Sequence, residues 1–254
     1  MIYSACAAQV SLVEEAIVDR NPSVVTPARF AQGMTFEQYV AHVGTSENLQ
    51  REGSQGPTRV DQSGFLRERH QKLKLTEAQT AMIKWLAAQP GGPAKILVIS
   101  EEWSSDCRRD VPALARLAEA GGLELRIFAR DGKKMSRSNR PIPDESPNAD
   151  LMAEFLNEKS GQTFQSIPVA VFYDKDLREL YRYIEFPVCY HKDRIRGHQT
   201  AARPGETPEQ TQARATKEFA TMLASPMLDV WSSAAIDEIL SLLYERATVG
   251  SLAK

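Results

Sequence analysis

The sequence predicts an α/β fold: a small mixed sheet flanked by helices, with helical extensions at both ends. Three observations carry this. Two short apolar runs, Lys95–Ile99 and Leu123–Phe128, bracket a helical stretch, a crossover that requires parallel strands. Two more runs, Pro168–Tyr173 and Leu177–Ile184, are separated only by Asp174-Lys175-Asp176 and read as an antiparallel hairpin. Apolar residues at helical spacing recur on both sides of this block. At 42% hydrophobic over 254 residues, the chain has material for a core plus polar insertions.

The elements follow in order. Within residues 1–30, Val10, Leu12, Val13 and Ile17 fall near helical spacing. Thr35 with Gln38 is a capping-box pattern opening a helix to Val43. Residues 44–64 are rich in Gly, Ser and Gln and read as a loop. Thr76 with Gln79 is a second capping box, before Met82, Ile83, Trp85 and Leu86, with Met82 and Trp85 expected in the core. Pro90-Gly91-Gly92-Pro93 stops that helix. Lys95–Ile99 is too short and too β-branched for a helix and reads as a buried strand. In the next helix Val111, Leu114 and Leu117 recur every three residues, and Gly121-Gly122 ends it. Residues 130–148, with five basic residues and three prolines, read as an exposed insertion. Asp150–Asn157 reads as a short helix with Met152 and Phe155 in the core, and residues 187–206 as irregular and polar. Glu209–Leu223 and Ser233–Ala247 read as helices, with Trp231 in the turn between them. There is no internal repeat.

Several function classes are excluded. The balance of 31 Lys+Arg against 33 Asp+Glu gives no basic field to draw nucleic acid or anionic lipid. Three cysteines, Cys6, Cys107 and Cys189, rule out a disulfide-stapled scaffold or an all-cysteine zinc cage. The first twenty residues lack the basic lead and unbroken apolar run of a secretory signal, and no stretch approaches the ~20 apolar residues of a membrane span. A cytoplasmic setting without membrane or nucleic-acid partners is expected. No Gly-rich phosphate loop, H-E-x-x-H or G-x-S-x-G is present, and no cofactor is expected.

One constellation carries chemistry. Trp103-Ser104-Ser105-Asp106-Cys107 follows a buried strand and opens a long helix; Pro112 stands five residues further on, and Ile167-Pro168 opens the next strand. In these features the chain resembles the thioredoxin-like family. There a Trp-Cys-x-x-Cys motif, a kink proline and a cis-proline occupy these positions. Glu101–Cys107, Leu125–Asp131, Ser166–Asp174 and the helix TFEQYVAHV further resemble a functionally uncharacterised bacterial subgroup. The resemblance implies a thioredoxin-like domain over residues 95–186. Residues 1–94 form a helical N-terminal extension, and 187–254 form a loop insertion and C-terminal helices packed on the same domain. The extensions either cover the sheet or build the interface of a homo-oligomer.

The departures from the family bear on function. The attacking thiol's position holds Ser104, which cannot form a disulfide and has no adjacent histidine to activate it. The family's buried proton-transferring Asp aligns with Val98. A standard dithiol reductase is therefore not expected. Cys107 is either a buried structural cysteine or a single-thiol catalytic site acting on a protein or small-thiol substrate. In the latter, Ser104 caps or hydrogen-bonds, while Trp103, Asp106, Ile167 and Pro168 line the substrate groove. Arg108 and Arg109 would help a thiolate only if they faced it, and arginines on a helix usually face water. A non-catalytic module that binds a peptide or protein in the cis-proline groove is the alternative. Cys189, His191 and His198 follow the strand that returns to the motif end. They open three arrangements, a Cys107–Cys189 disulfide, a Cys/His metal site or a surface loop, and no metal is expected because the spacing matches no zinc pattern.

Overall fold

The computed structural model describes residues 23–54 and 56–252. The amphipathic stretch around Val10–Ile17, and Cys6 with it, lies outside them. The chain opens with α1 (Pro27–Phe30), α2 (Phe36–Val43), α3 (Ser46–Leu49), α4 (Ser63–Lys72) and α5 (Glu77–Ala87). The central block is β1 (Lys95–Ser100), α6 (Ser105–Gly121), β2 (Glu124–Ala129), α7 (Ala149–Glu154), β3 (Asn157–Lys159), β4 (Gln162–Phe164), β5 (Val169–Tyr173) and β6 (Glu179–Ile184). It closes with α8 (Lys192–Thr200), α9 (Pro208–Leu223) and α10 (Met227–Leu252).

The four-stranded sheet has the order β2-β1-β5-β6. β1 runs parallel to β2 and antiparallel to β5, and β5 pairs antiparallel with β6, the mixed sheet the sequence predicts. Ile96, Leu97, Val98 and Ile99 are all fully buried. Strand side chains alternate between faces, so helices must cover both. Burying each such side chain contributes roughly 1.5–3 kcal/mol. α6 crosses between β1 and β2 and packs against α4, α5 and α10. Its C-terminus closes at Gly122, whose φ of 67° is the left-handed cap that glycine adopts without strain. Gly92 is needed for another reason: a Cβ there would lie 2.0 Å from the Leu86 carbonyl oxygen.

The expected capping boxes at Thr35/Gln38 and Thr76/Gln79 are both formed, and Thr207/Gln210 opens α9 in the same way. The N-terminal extension belongs to the core. Phe36, Tyr39, Val40 and Val43 of α2 are buried, and Met34 exchanges both backbone hydrogen bonds with Ile127, capping the exposed edge of β2. It thus covers the sheet, one of the two arrangements open from sequence.

Several expectations are corrected. Residues 44–64 contain α3 and the buried Arg51 and Arg59. Residues 130–148 lack regular structure but are anchored, with Arg130, Asp131, Ser136 and Ser146 all buried. Residues 187–206 contain α8, an element with a single apolar residue, Ile195, and therefore no stripe to read. Trp231 lies within α10 and stacks on Tyr190 at 3.8 Å. Trp85 is 45% exposed and meets Tyr244, while Met152 and Phe155 are core as expected.

Candidate functional site

The motif sits where β1 ends and α6 begins. Ser104 is the N-cap: its hydroxyl accepts a hydrogen bond from the Cys107 backbone N–H at 3.4 Å. The residue standing where the attacking thiol is expected therefore holds the first turn together. Cys107, one turn in, is 1% exposed. Burial is the main reason its thiol is pushed up to about 12; Asp106 pushes the same way, and hydrogen bonds involving Ser100, Glu101 and Ser104 oppose this without prevailing. Tyr39 closes the site from the extension, its phenol 3.0 Å from the Ser100 hydroxyl.

A buried ionic cluster surrounds the end of β1. Glu101 and Glu102 are each 1% exposed, as is Asp131 beyond β2. Three arginines answer these three acids. Arg51 pairs with Glu101 at 3.0 Å and donates to Asn48, Gly132 and Asp131. Arg59 contacts Glu101, Glu102 at 3.0 Å and Asp131 at 3.5 Å. Arg130 binds Asp131 at 2.8 Å and lies over the Trp103 ring, whose indole N–H also donates to Asp131. The segment read as a polar loop thus supplies two of the three counter-charges. Their one signal in the sequence is indirect: consecutive glutamates ending a buried strand need cations near them.

A second network lies on the other side of the motif. Arg109 is 1% exposed and bonds Asp106 at 2.7 Å and both oxygens of Asp110, so the expectation that it faces water is corrected. Burial alone would lower its pKa; the Asp110 and Asp106 carboxylates outweigh that and raise it. Tyr183 donates to Asp110 at 2.8 Å. Lys192 reaches Asp106 and Glu185 from the start of α8, so the 187–206 segment does return to the motif. It does so through Lys192; Cys189 is exposed, and Cys107 and Cys189 are both free thiols. Among the described residues no three His, Cys, Asp or Glu side chains gather as a metal site would require.

The Ile167–Pro168 peptide bond is cis. Both residues are buried, and the Pro168 carbonyl is occupied by the Glu185 N–H at 2.8 Å. The open space at the motif lies elsewhere. A cleft of about 480 Å³ runs between the motif turn, the segment around Val60 and the face of α9 that carries Phe219 and Leu223. Trp103, Ser104 and Asp106 line it, together with Arg108 and Lys192. Arg108 donates to the Glu102 and Trp103 carbonyls and forms no carboxylate pair among the described residues. No described helix is long and apolar enough to cross a membrane.

A family model described as thioredoxin matches residues 58–192. No curated protein matches the chain. Among solved structures, the chain is similar to PA1234, a protein of unknown function from Pseudomonas aeruginosa, at 19% identity and a TM-score of 0.48; the match covers 87% of this chain and 98% of that one. It is also similar to an HIV epitope-scaffold at 18% identity and a TM-score of 0.46, with the same coverage of 87% and 98%.

Proposed function

The chain belongs to the thioredoxin family, and on that premise we propose that it is a non-redox member whose motif end binds a peptide segment of a protein partner. The observation that carries this is the burial of Cys107, the one thiol of the motif, at 1% exposure. A thiol at about 12 contributes almost no thiolate near neutral pH, and the thiolate is the nucleophile. Ser104, committed as the helix cap, supplies no second redox group. The single-thiol redox reading would need Cys107 to reach solvent or Cys189, and its burial among core side chains counts against both.

The cleft supports binding. Val60 is 72% exposed on its rim, and Phe219 and Leu223 form an apolar wall. Among the described residues Arg108 is a cation whose side-chain hydrogen bonds go only to carbonyls, and burial lowers its pKa with charged neighbours opposing. The matching segment carries an acidic side chain next to an apolar one. Ile167 and Pro168, buried just before β5, are not among the residues lining the cleft and leave the contact to Trp103 and Arg108. A cytoplasmic setting, expected from the sparse cysteines, belongs to this reading.

Selection of a displayed random peptide library on the full chain tests it. Enrichment of acidic-plus-apolar segments, lost with Arg108→Gln and with Val60→Asp, is expected. Enrichment that neither substitution alters would contradict it. Insulin disulfide reduction with dithiothreitol should stay at background, and turnover above that would restore the redox reading.

A further inference from the structure

Residues 1–22 lie outside the described residues, and the described chain begins at Ser23 beside the end of α7, where the Val24 N–H donates to Glu154 at 2.9 Å. A line of contacts leads from there to the peptide cleft. The Glu154 carbonyl accepts from Arg182 of β6 at 3.2 Å. Glu185 stands three residues further on, about 10 Å along the strand direction, and pairs with Lys192 at 3.3 Å. Lys192 lines the cleft. The stretch from Glu14 to Ser23 spans up to about 30 Å, enough to cover that path.

The charges of the cleft select what fills it. Its lining sets Arg59, Arg108 and Lys192 against Asp106. Arg59 and Lys192 are answered by carboxylates. Arg108 is not: its Nη1 donates to the Glu102 and Trp103 carbonyls, and its Nε and Nη2 have no partner among the described residues. An open cation thus stands beside the apolar wall of Phe219 and Leu223 and the exposed Val60. The run Leu12-Val13-Glu14-Glu15-Ala16-Ile17 sets two carboxylates between apolar side chains and matches that surface. A nearer hollow of about 620 Å³, between α7 and the β3–β4 hairpin, balances Arg140 and Arg182 with Glu154 and Glu158 and offers an acidic run no net charge.

We propose that the chain's own residues 12–17 occupy the peptide cleft, with the Glu14–Glu15 carboxylates at Arg108 and Leu12, Val13 and Ile17 against Phe219, Leu223 and Val60. This rests on the peptide-binding reading of the cleft and adds its regulation, since a partner gains access only by displacing the segment. A tethered segment competes at an effective concentration of order millimolar, so an intrinsic Kd of about 0.1 mM weakens a rival peptide about tenfold.

Fluorescence anisotropy with a labelled synthetic peptide of residues 8–21 tests this. The peptide should bind a chain carrying Leu12→Asp and Ile17→Asp about tenfold more tightly than wild type, whose own segment competes. Glu14→Lys with Glu15→Lys, which reverses the charge and keeps the apolar residues, should release the cleft in the same way. Adding Arg108→Gln to the Leu12→Asp, Ile17→Asp chain should weaken binding about tenfold or more. Val60→Asp, on the exposed rim, should do the same and serves should Arg108→Gln fail to fold. Equal affinity for wild type and the released chains, no binding by either, or a competition that grows with protein concentration and so comes from a second copy would overturn the proposal. Peptides selected from the displayed library separate it from the reading it rests on. If they bind the released chain and the 8–21 peptide does not, the proposal alone fails; if neither binds, the reading fails with it.

Discussion

At the scale of single residues, Cys107 and Ser104 decide what the motif can do. Ser104 replaces a thiol with a hydroxyl, and the hydroxyl is spent on the first turn of α6. Ser104→Ala should therefore cost about 1 kcal/mol in urea unfolding and leave no redox phenotype. Cys107 has a thermodynamic signature of its own. Its thiol ionises near 9 when unfolded and is pushed up to about 12 when folded. Below pH 9 both states hold the proton; between 9 and 12 only the unfolded state releases it. The raised pKa thus contributes stability below that window and loses it as pH rises, by up to about 1.4 kcal/mol per unit. Unfolding free energies of wild type and Cys107→Ala across pH 8–11 check this: the wild-type curve should fall more steeply. Trp103, Ser104, Cys107 and Pro168 were legible from sequence because each belongs to a local pattern. The burial of Arg109 was not, because the carboxylates that neutralise it, Asp106 and Asp110, look from sequence like any exposed helix face.

At the scale of elements, the segment between α2 and α4 matters most. It carries Arg51 and Arg59 into the site, against Glu101, Glu102 and Asp131. Arg59→Met removes one partner and leaves buried carboxylates without their full complement of cations, a loss of about 3–5 kcal/mol by urea denaturation. A change below 1 kcal/mol would mean that water or Arg51 replaces it. Likewise Trp231→Ala, which removes the ring stacked on Tyr190, should cost about 3–5 kcal/mol and loosen the start of α8. Elements with caps and stripes, such as α2, α5 and α6, could be read from the sequence. The helices α4 and α8 could not, since each offers few apolar residues and gains its helicity from what it packs against.

At the scale of the whole molecule, the two extensions and the central block share one core. Phe30, Tyr39, Ile83, Ile236 and Ile239 belong to the same buried cluster as the strands. The N-terminal extension also caps the β2 edge through Met34. The division into a domain at 95–186 with additions therefore understates their role. A fragment of residues 95–186 would expose that edge, the apolar face of α6 and three buried acids, and should show no cooperative thermal transition by circular dichroism. A cooperative transition in the fragment would make the extensions decoration. Sheet order and crossover were legible because strand periodicity is local, whereas the closure of the site by distant arginines depends on pairings that no single segment encodes.

The motif thiol is sealed within the fold. Alkylation of the native chain by iodoacetamide at pH 7–9, resolved by residue with mass spectrometry, tests this. Cys189, exposed in the same molecule, serves as the internal reference. Cys189 should be modified readily, while Cys107 stays unmodified until the protein is unfolded. Modification of Cys107 as fast as Cys189, with a rate that levels off near neutral pH, would contradict it.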